Sequence, residues 1–220
     1  MQKKLLSLVL MLIVSINTFA YADFTVDGIR YRISSNEEGT CTVIGHEELT
    51  NSTLIIPTSV TNGNDTKYTV ESIASNAFKD CSGLTSITIP ESVTYIGERA
   101  FYGCSGLTSI TIQEGVLTIG ERAFYGCSGL TSINLPESVT NIGESAFSYC
   151  KGLTSILLPE SVTNIGERAF SHCEGLTSIH LPESVTNIGK SAFSDCEGLT
   201  SINIPKNITF LEDYIFLGCI

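Results

Sequence analysis

The sequence predicts an α/β repeat fold. It reads as a right-handed solenoid of 23-residue units with a parallel β-sheet on one face. Short helices or irregular arcs form the other face, and a small β cap covers the N-terminal end. Three observations predict it. Seven cysteines, Cys81, Cys104, Cys127, Cys150, Cys173, Cys196 and Cys219, fall 23 residues apart. Phe78, Phe101, Phe124, Phe147, Phe170, Phe193 and Phe216 keep the same step, as do the leucines from Leu84 to Leu199. Whole segments also recur: 98–110 reappears unchanged at 121–133, and 135–143 at 158–166 and 181–189. A fixed period of this size is the mark of units that stack into a one-dimensional array.

The first 22 residues stand apart. Lys3 and Lys4 give a positive start, Leu5 to Val14 an apolar stretch too short to span a bilayer, and Ala20-Tyr21-Ala22 a small-residue cleavage point. Residues 1–22 therefore read as a signal peptide, cut before Asp23. Residues 23–53 read as the N-terminal cap. Phe24 to Ile33 predicts two strands joined by Asp27-Gly28, a strong hairpin signal, and Thr40 to Ile44 a third strand. Together they would pair the open edge of the core.

Residues 54–220 read as the solenoid. Its first strand is Leu54-Ile55-Ile56, and its first unit carries a ten-residue insertion around Asn62-Gly63-Asn64-Asp65, read as a hairpin. A regular unit can be followed from Leu130. Leu130, Ile133 and Leu135 match the L-x-x-L-x-L strand of leucine-rich repeats, with Ile133 and Leu135 facing the core and Ser132 and Asn134 facing out. Pro136 has no N–H and ends the strand. Val139 and Ile142 point inward from an irregular arc, and Gly143 permits a turn. Glu144 to Cys150, with Ala146, Phe147 and Cys150 directed inward, predicts about two turns of helix. At the far end Ile204, Ile208, Leu211 and Phe216 continue the apolar pattern, and the segment after Phe210 reads either as a minimal cap or as the edge of a fragment.

The formal charge is −11, and becomes −13 once Lys3 and Lys4 are removed. So acidic a chain argues against nucleic acid or anionic lipid as partner, since both are held by Lys and Arg. No segment after the first 22 residues is apolar enough to cross a membrane. The cysteine ladder lies at equivalent places in stacked units, next to phenylalanine, so burial as small apolar side chains is the expected role. Neighbouring rungs are close enough for a disulfide, though not for an unbroken chain of them. No C-x-x-C or close Cys/His pair suggests zinc. His46, His172 and His180 are the only histidines, and His172 beside Cys173 does not make a nucleophile–base pair, because neighbours along a helix point different ways. No G-x-S-x-G, phosphate-binding loop, H-E-x-x-H or EF-hand pattern occurs. The expectation is a protein without catalytic residues, metal or cofactor.

Two surfaces are candidates for binding. Outward strand positions form one column of Ser86, Ser109, Ser132, Ser155, Ser178 and Ser201, beside a second of Thr88, Thr111, Asn134, Leu157, His180 and Asn203. Successive strands would align these into a ribbon of the kind repeat proteins bind through. Small strand formers copied by duplication would look the same. The opposite side carries Glu98/Arg99, Glu121/Arg122, Glu144, Glu167/Arg168 and Lys190, near Tyr102, Tyr125, Tyr149 and His172, and reads chiefly as a solvated charged face.

The motif C-S-G-L-T-S-I-T-I-P-E-S-V-T-x-I-G-E-R-A-F, from Cys81 to Phe101, closely resembles the BspA-type bacterial leucine-rich-repeat proteins. D-F-T-V-D-G-I-R-Y near the N-terminus and Lys67 to Ile73 look like the opening of that family. The resemblance implies an exported, extracellular or cell-surface protein. It implies an adhesin-like role, binding extracellular-matrix, plasma or other cell-surface proteins. A passive spacer with no dedicated ligand is the alternative.

Overall fold

The computed structural model describes residues 22–47 and 51–219. The signal-peptide segment, apart from Ala22, lies outside them. In chain order the strands are β1 Asp23–Val26, β2 Ile29–Ser35, β3 Thr40–His46, β4 Thr53–Ile55, β5 Ser59–Thr61, β6 Lys67–Ile73, β7 Ser86–Ile89, β8 Tyr95–Ile96 and β9 Ser109–Ile112. Then follow β10 Thr118–Ile119, β11 Ser132–Asn134, β12 Asn141–Ile142, β13 Ser155–Leu157, β14 Asn164–Ile165, β15 Ser178–Ile179, β16 Asn187–Ile188 and β17 Ser201–Ile202. They wind as a right-handed solenoid with a 23-residue step. β1, β2 and β3 form an antiparallel meander whose third strand pairs in parallel with β6. The insertion is a hairpin, β5 against β6.

The core is one continuous stack. In the unit starting at Leu130, the side chains of Leu130, Ile133, Leu135, Val139, Ile142, Ala146, Phe147 and Cys150 are all buried. Each large apolar side chain so buried contributes about 1.5–3 kcal/mol. The phenylalanines lie nearly parallel, with ring centroids 5.2 Å apart for Phe101–Phe124 and 5.4 Å for Phe147–Phe170. That spacing lies within the offset-stacked range of about 4.5–7 Å.

The expected helix does not form. No α-helix occurs among the described residues, and 144–149 is a pair of tandem turns. Two residues four apart in each unit take the left-handed conformation: Ser145 (φ 53°) and Tyr149 (φ 60°) here, Arg168 and His172 in the next. Left-handed residues break the i→i−4 ladder. The N–H groups of Ala146, Ser148 and Cys150 instead bond three residues back, while those of Ser145, Phe147 and Tyr149 reach the Glu167, Ala169 and Ser171 carbonyls of the next unit. Apolar spacing alone could not separate this from a helix, because both bury Ala146, Phe147 and Cys150.

The arc is more regular than expected. Asn141–Ile142 is a strand of a second parallel sheet, β6-β8-β10-β12-β14-β16, which runs without interruption along the solenoid. Gly143 serves close approach: a Cβ there would lie 2.8 Å from the Ile119 oxygen and 2.8 Å from the Gly120 carbonyl carbon of the preceding unit. The final unit is looser than its pattern suggests. Ile204 and Leu211 are exposed, and Ile208 and Phe216 only half-buried, since no following unit covers their outer side among the described residues.

Candidate functional site

The strand face brings most of its two columns into register. Ser86 pairs with Ser109 and Thr88 with Thr111. Ser132 pairs with Ser155 and Asn134 with Leu157, Leu157 bridges to His180, and Ser178 pairs with Ser201. The ribbon is nevertheless divided. β9 and β11 form no ladder, and a cavity of about 300 Å³ lies between them, lined by Ser109, Thr111, Ser132 and Asn134 among others.

The unit before the break is irregular in sequence. Gln113-Glu114-Gly115-Val116-Leu117 stands where four other units have P-E-S-V-T. Gln113 keeps an N–H and donates it to Ile89, which extends β9 toward β7. Pro136 has none to return to β9. The Glu114 carboxylate accepts instead from the N–H groups of Glu137 and Ser138, tying the two turns together beyond the strands. Gly115 is required there: its φ is +132°, and a Cβ would meet the Glu91 oxygen at 2.0 Å.

Within the columns, Leu157 is 62% exposed, and His180 and the serines from Ser109 onward are exposed. Ser86 and Thr88 are half-buried. Asn203 is engaged within the chain: its Oδ1 accepts from the Leu181 N–H at 2.9 Å and its Nδ2 donates to the Leu181 carbonyl at 2.7 Å. Ile55, which the columns did not include, stands 68% exposed at the N-terminal end of this face.

The turn face holds a groove of about 580 Å³. The left-handed positions shape it: Arg99, Arg122 and Arg168 hold the first such place of their units, Tyr149 and His172 the second, and all five line the groove. Tyr102 and Tyr125 stack at 4.9 Å and Tyr149 and His172 at 4.3 Å, while Tyr125 and Tyr149 meet at 5.1 Å with their rings tilted by 42°. Arg122 pairs with Glu121 and reaches Glu144 at 3.3 Å, while Arg99 and Arg168 pair with Glu98 and Glu167. The floor is a row of buried hydroxyls: Ser148 donates to the Ser171 carbonyl at 3.1 Å, and Ser171 and Ser194 share a hydrogen bond at 2.8 Å. Burial raises the Tyr125 phenol above its ordinary value, helped by the neighbouring tyrosines. Sequence reading named these residues as a charged face. It did not foresee a groove, because on the expected helices Tyr149 and His172, one place later in their units than Tyr102 and Tyr125, would have pointed away from those tyrosines.

The cysteines are all free thiols. Cys104, Cys127, Cys150, Cys173 and Cys196 are fully buried. Each donates its S–H to the phenylalanine carbonyl of the preceding unit, from 3.0 Å at Phe78 to 3.2 Å at Phe101 and Phe147. Cys173 is thus turned away from His172, whose Nε2 faces Asp195 at 3.5 Å. No group of three or more His, Cys, Asp or Glu among the described residues is placed to hold a metal ion. No helix among them is long and apolar enough to cross a membrane.

Six copies of the BspA type leucine-rich-repeat region match the chain, within 57–151 and 95–220. A leucine-rich repeat protein from Bacteroides ovatus is 35% identical with a TM-score of 0.65, covering 88% of this chain and 56% of its own. A leucine-rich cell surface protein from Faecalibacterium prausnitzii is 33% identical with a TM-score of 0.67, covering 82% and 54%. The pneumococcal vaccine antigen PcpA is 27% identical with a TM-score of 0.71, covering 85% and 51%. The chain thus spans about half the length of these three structures. No curated protein matches it significantly.

Proposed function

The chain belongs to the BspA-type leucine-rich-repeat family, and from that premise we propose that it is an exported, cell-surface or secreted, adhesin-like module that binds extracellular proteins. Residues 1–22 are its export signal, 23–53 its β cap and 54–220 its binding solenoid. The observation that carries the reading is the strand face. It is a ribbon of small hydroxyl and amide side chains with few charges, in register within each of its blocks, on which Ile55 and Leu157 stand exposed. Exposed apolar side chains framed by adaptable polar groups favour contact with protein surfaces. The name of the Faecalibacterium relative supports a surface location.

A second reading places the ligand in the turn-face groove. It is favoured by the tyrosine ladder flanked by Arg99, Arg122 and Arg168, since tyrosine and arginine are over-represented at binding hot spots. One experiment separates the two. The immobilised chain is tested at physiological salt against a panel of extracellular-matrix and plasma proteins. Saturable binding lost in Leu157→Glu and His180→Glu supports the strand face. Loss in Arg122→Glu alone moves the site to the groove. No binding across the panel supports a passive surface repeat.

A further inference from the structure

One aromatic in the phenylalanine stack is not a phenylalanine. His46, the last residue of β3, lies over Phe78 with ring centroids 5.8 Å apart and 4° between the planes. Its Nδ1 faces the Glu47 carbonyl. A carbonyl only accepts, so Nδ1 holds the hydrogen and Nε2 keeps its lone pair. Nε2 lies 2.8 Å from the Cys81 Sγ.

Cys81 opens the cysteine ladder, and its surroundings differ from those of every later rung. Each later thiol has a phenylalanine carbonyl 26 residues earlier as its acceptor, down to Cys219 on Phe193 at 3.2 Å. The residue 26 before Cys81 is Ile55, an exposed strand residue, and the imidazole takes the missing place at 2.8 Å, nearer than the Lys79 carbonyl that the thiol reaches at 3.7 Å. A carbonyl leaves the proton on sulfur. An imidazole can remove it.

Cys81 is also only half-buried, so a small reagent can reach it. The Cys104 S–H beside it can turn from the Phe78 carbonyl to a Cys81 thiolate. That hydrogen bond, followed by the charge and hydrogen bond of His46, brings the Cys81 thiol down to about 6, against burial and Asp80, which push it up. Asp80 lies within 3.8 Å of the Lys79 ammonium, and exposed Glu47 follows His46. Thiols activated in this way owe their reactivity to an adjacent base and partial exposure.

We propose that Cys81 is an activated thiol, with His46 as its base, that exchanges with small aliphatic disulfides and carries the resulting mixed disulfide at the N-terminal end of the solenoid. The Cys81 thiolate sulfur attacks one sulfur of R–S–S–R. The R–S–S–R bond breaks, Cys81–S–S–R forms, and the departing thiolate takes the proton that His46 had received, leaving RSH and neutral imidazole. Release of the second RSH would require attack by Cys104. That thiol is fully buried, which disfavours the thiolate that would have to attack, so the mixed disulfide persists.

The test treats the reduced full chain with 2-hydroxyethyl disulfide at pH 5.5 and pH 7, followed by intact mass and peptide mapping. His46→Phe keeps a ring on Phe78 and removes the nitrogen; His46→Gln is the second variant, with circular dichroism confirming the fold of each. The Cys104 S–H stays in both variants and only the charge and hydrogen bond of His46 are removed, so at pH 5.5 Cys81 should lose about 3- to 10-fold in rate, less than the about 30-fold that a full return to an ordinary thiol would cost. The expected result is one adduct among the eight cysteines, on Cys81, with that loss. Modification of Cys81 no faster than Cys219 at pH 5.5, an unchanged rate in both folded variants, or a Cys81–Cys104 disulfide without adduct would each overturn the proposal.

Discussion

Raising the pH should unfold this protein steeply, because its core is built around thiols. Cys41, Cys127, Cys150, Cys173 and Cys196 are wholly shielded from solvent. Burial pushes Cys41, Cys127 and Cys196 up to about 12 and Cys150 and Cys173 well above the ordinary value. In the unfolded chain each titrates near about 8.5. The sign follows from linkage. A thiol whose folded value is raised contributes stability that is fully present below about pH 8.5 and lost as the pH rises toward its folded value. Between pH 7.5 and pH 10 the unfolded chain gives up these protons and the folded chain does not, at about 2 kcal/mol for each thiol and about 10 kcal/mol for the five together. Cys81 works in the opposite sense by about 1–2 kcal/mol over the same range, and Cys104, fully buried and raised by its hydrogen bond to Cys81 and by burial, offsets this with a further loss of about 2 kcal/mol. Because domains of this size have only about 5–15 kcal/mol of stability, the net loss should take the fold to its limit near pH 10. The assay is urea unfolding followed by circular dichroism at half-unit steps from pH 7.5 to pH 10.5 with a reductant present. Cys150→Ala and Cys173→Ala should each flatten the slope by about 1.4 kcal/mol per pH unit, even where they lower stability at neutral pH. A stability that stays level to pH 10, or a slope unchanged by both variants, would refute the reasoning and mean that the ladder opens to solvent.

Two further perturbations test how the units stack. Gly143→Ala puts a Cβ within 3 Å of three backbone atoms of the preceding unit and should cost about 1–3 kcal/mol, as overpacking does; Gly63→Ala, with nothing within 4 Å of its Cβ, should be neutral or stabilise by up to about 1 kcal/mol. Equal unfolding midpoints for the two variants would contradict the close approach. Phe147→Ala, fully buried between Phe124 and Phe170, should cost about 3–5 kcal/mol; Phe216→Ala, half-buried on the last unit, should cost clearly less in the same urea titration, because an end unit can fray alone.

The candidate sites were legible to unequal degrees. The strand columns could be read directly, because alternate residues of a strand face opposite sides and identical units repeat the choice. The break between β9 and β11 was visible only as Gln113-Glu114-Gly115-Val116-Leu117. Its effect depends on which carbonyl each N–H reaches, and one unit does not specify that. The groove was hidden by the helix expected over Glu144 to Cys150. The left-handed positions are signalled where glycine occupies them, at Gly103 and Gly126, but Tyr149 and His172 occupy the equivalent places. The meeting of His46 and Cys81 joins residues 35 apart in sequence, one outside the repeat, and no periodicity links them.

The period, the inward set of side chains, the strand that begins each unit and the family all follow from the order of residues, because a repeated apolar pattern leaves few ways to bury itself except by stacking on its copies. The path between strands did not follow from it. Tandem turns and a second sheet replaced helix and arc because each backbone N–H had an identical neighbour about 4.8 Å away to donate to, and that neighbour exists only once the units have stacked. The same stacking sets the chemistry of the thiols. Identical cysteines are inert where a carbonyl and a full shell of apolar side chains surround them, and the first of the row differs because the array begins there, with a histidine where the preceding unit would have been.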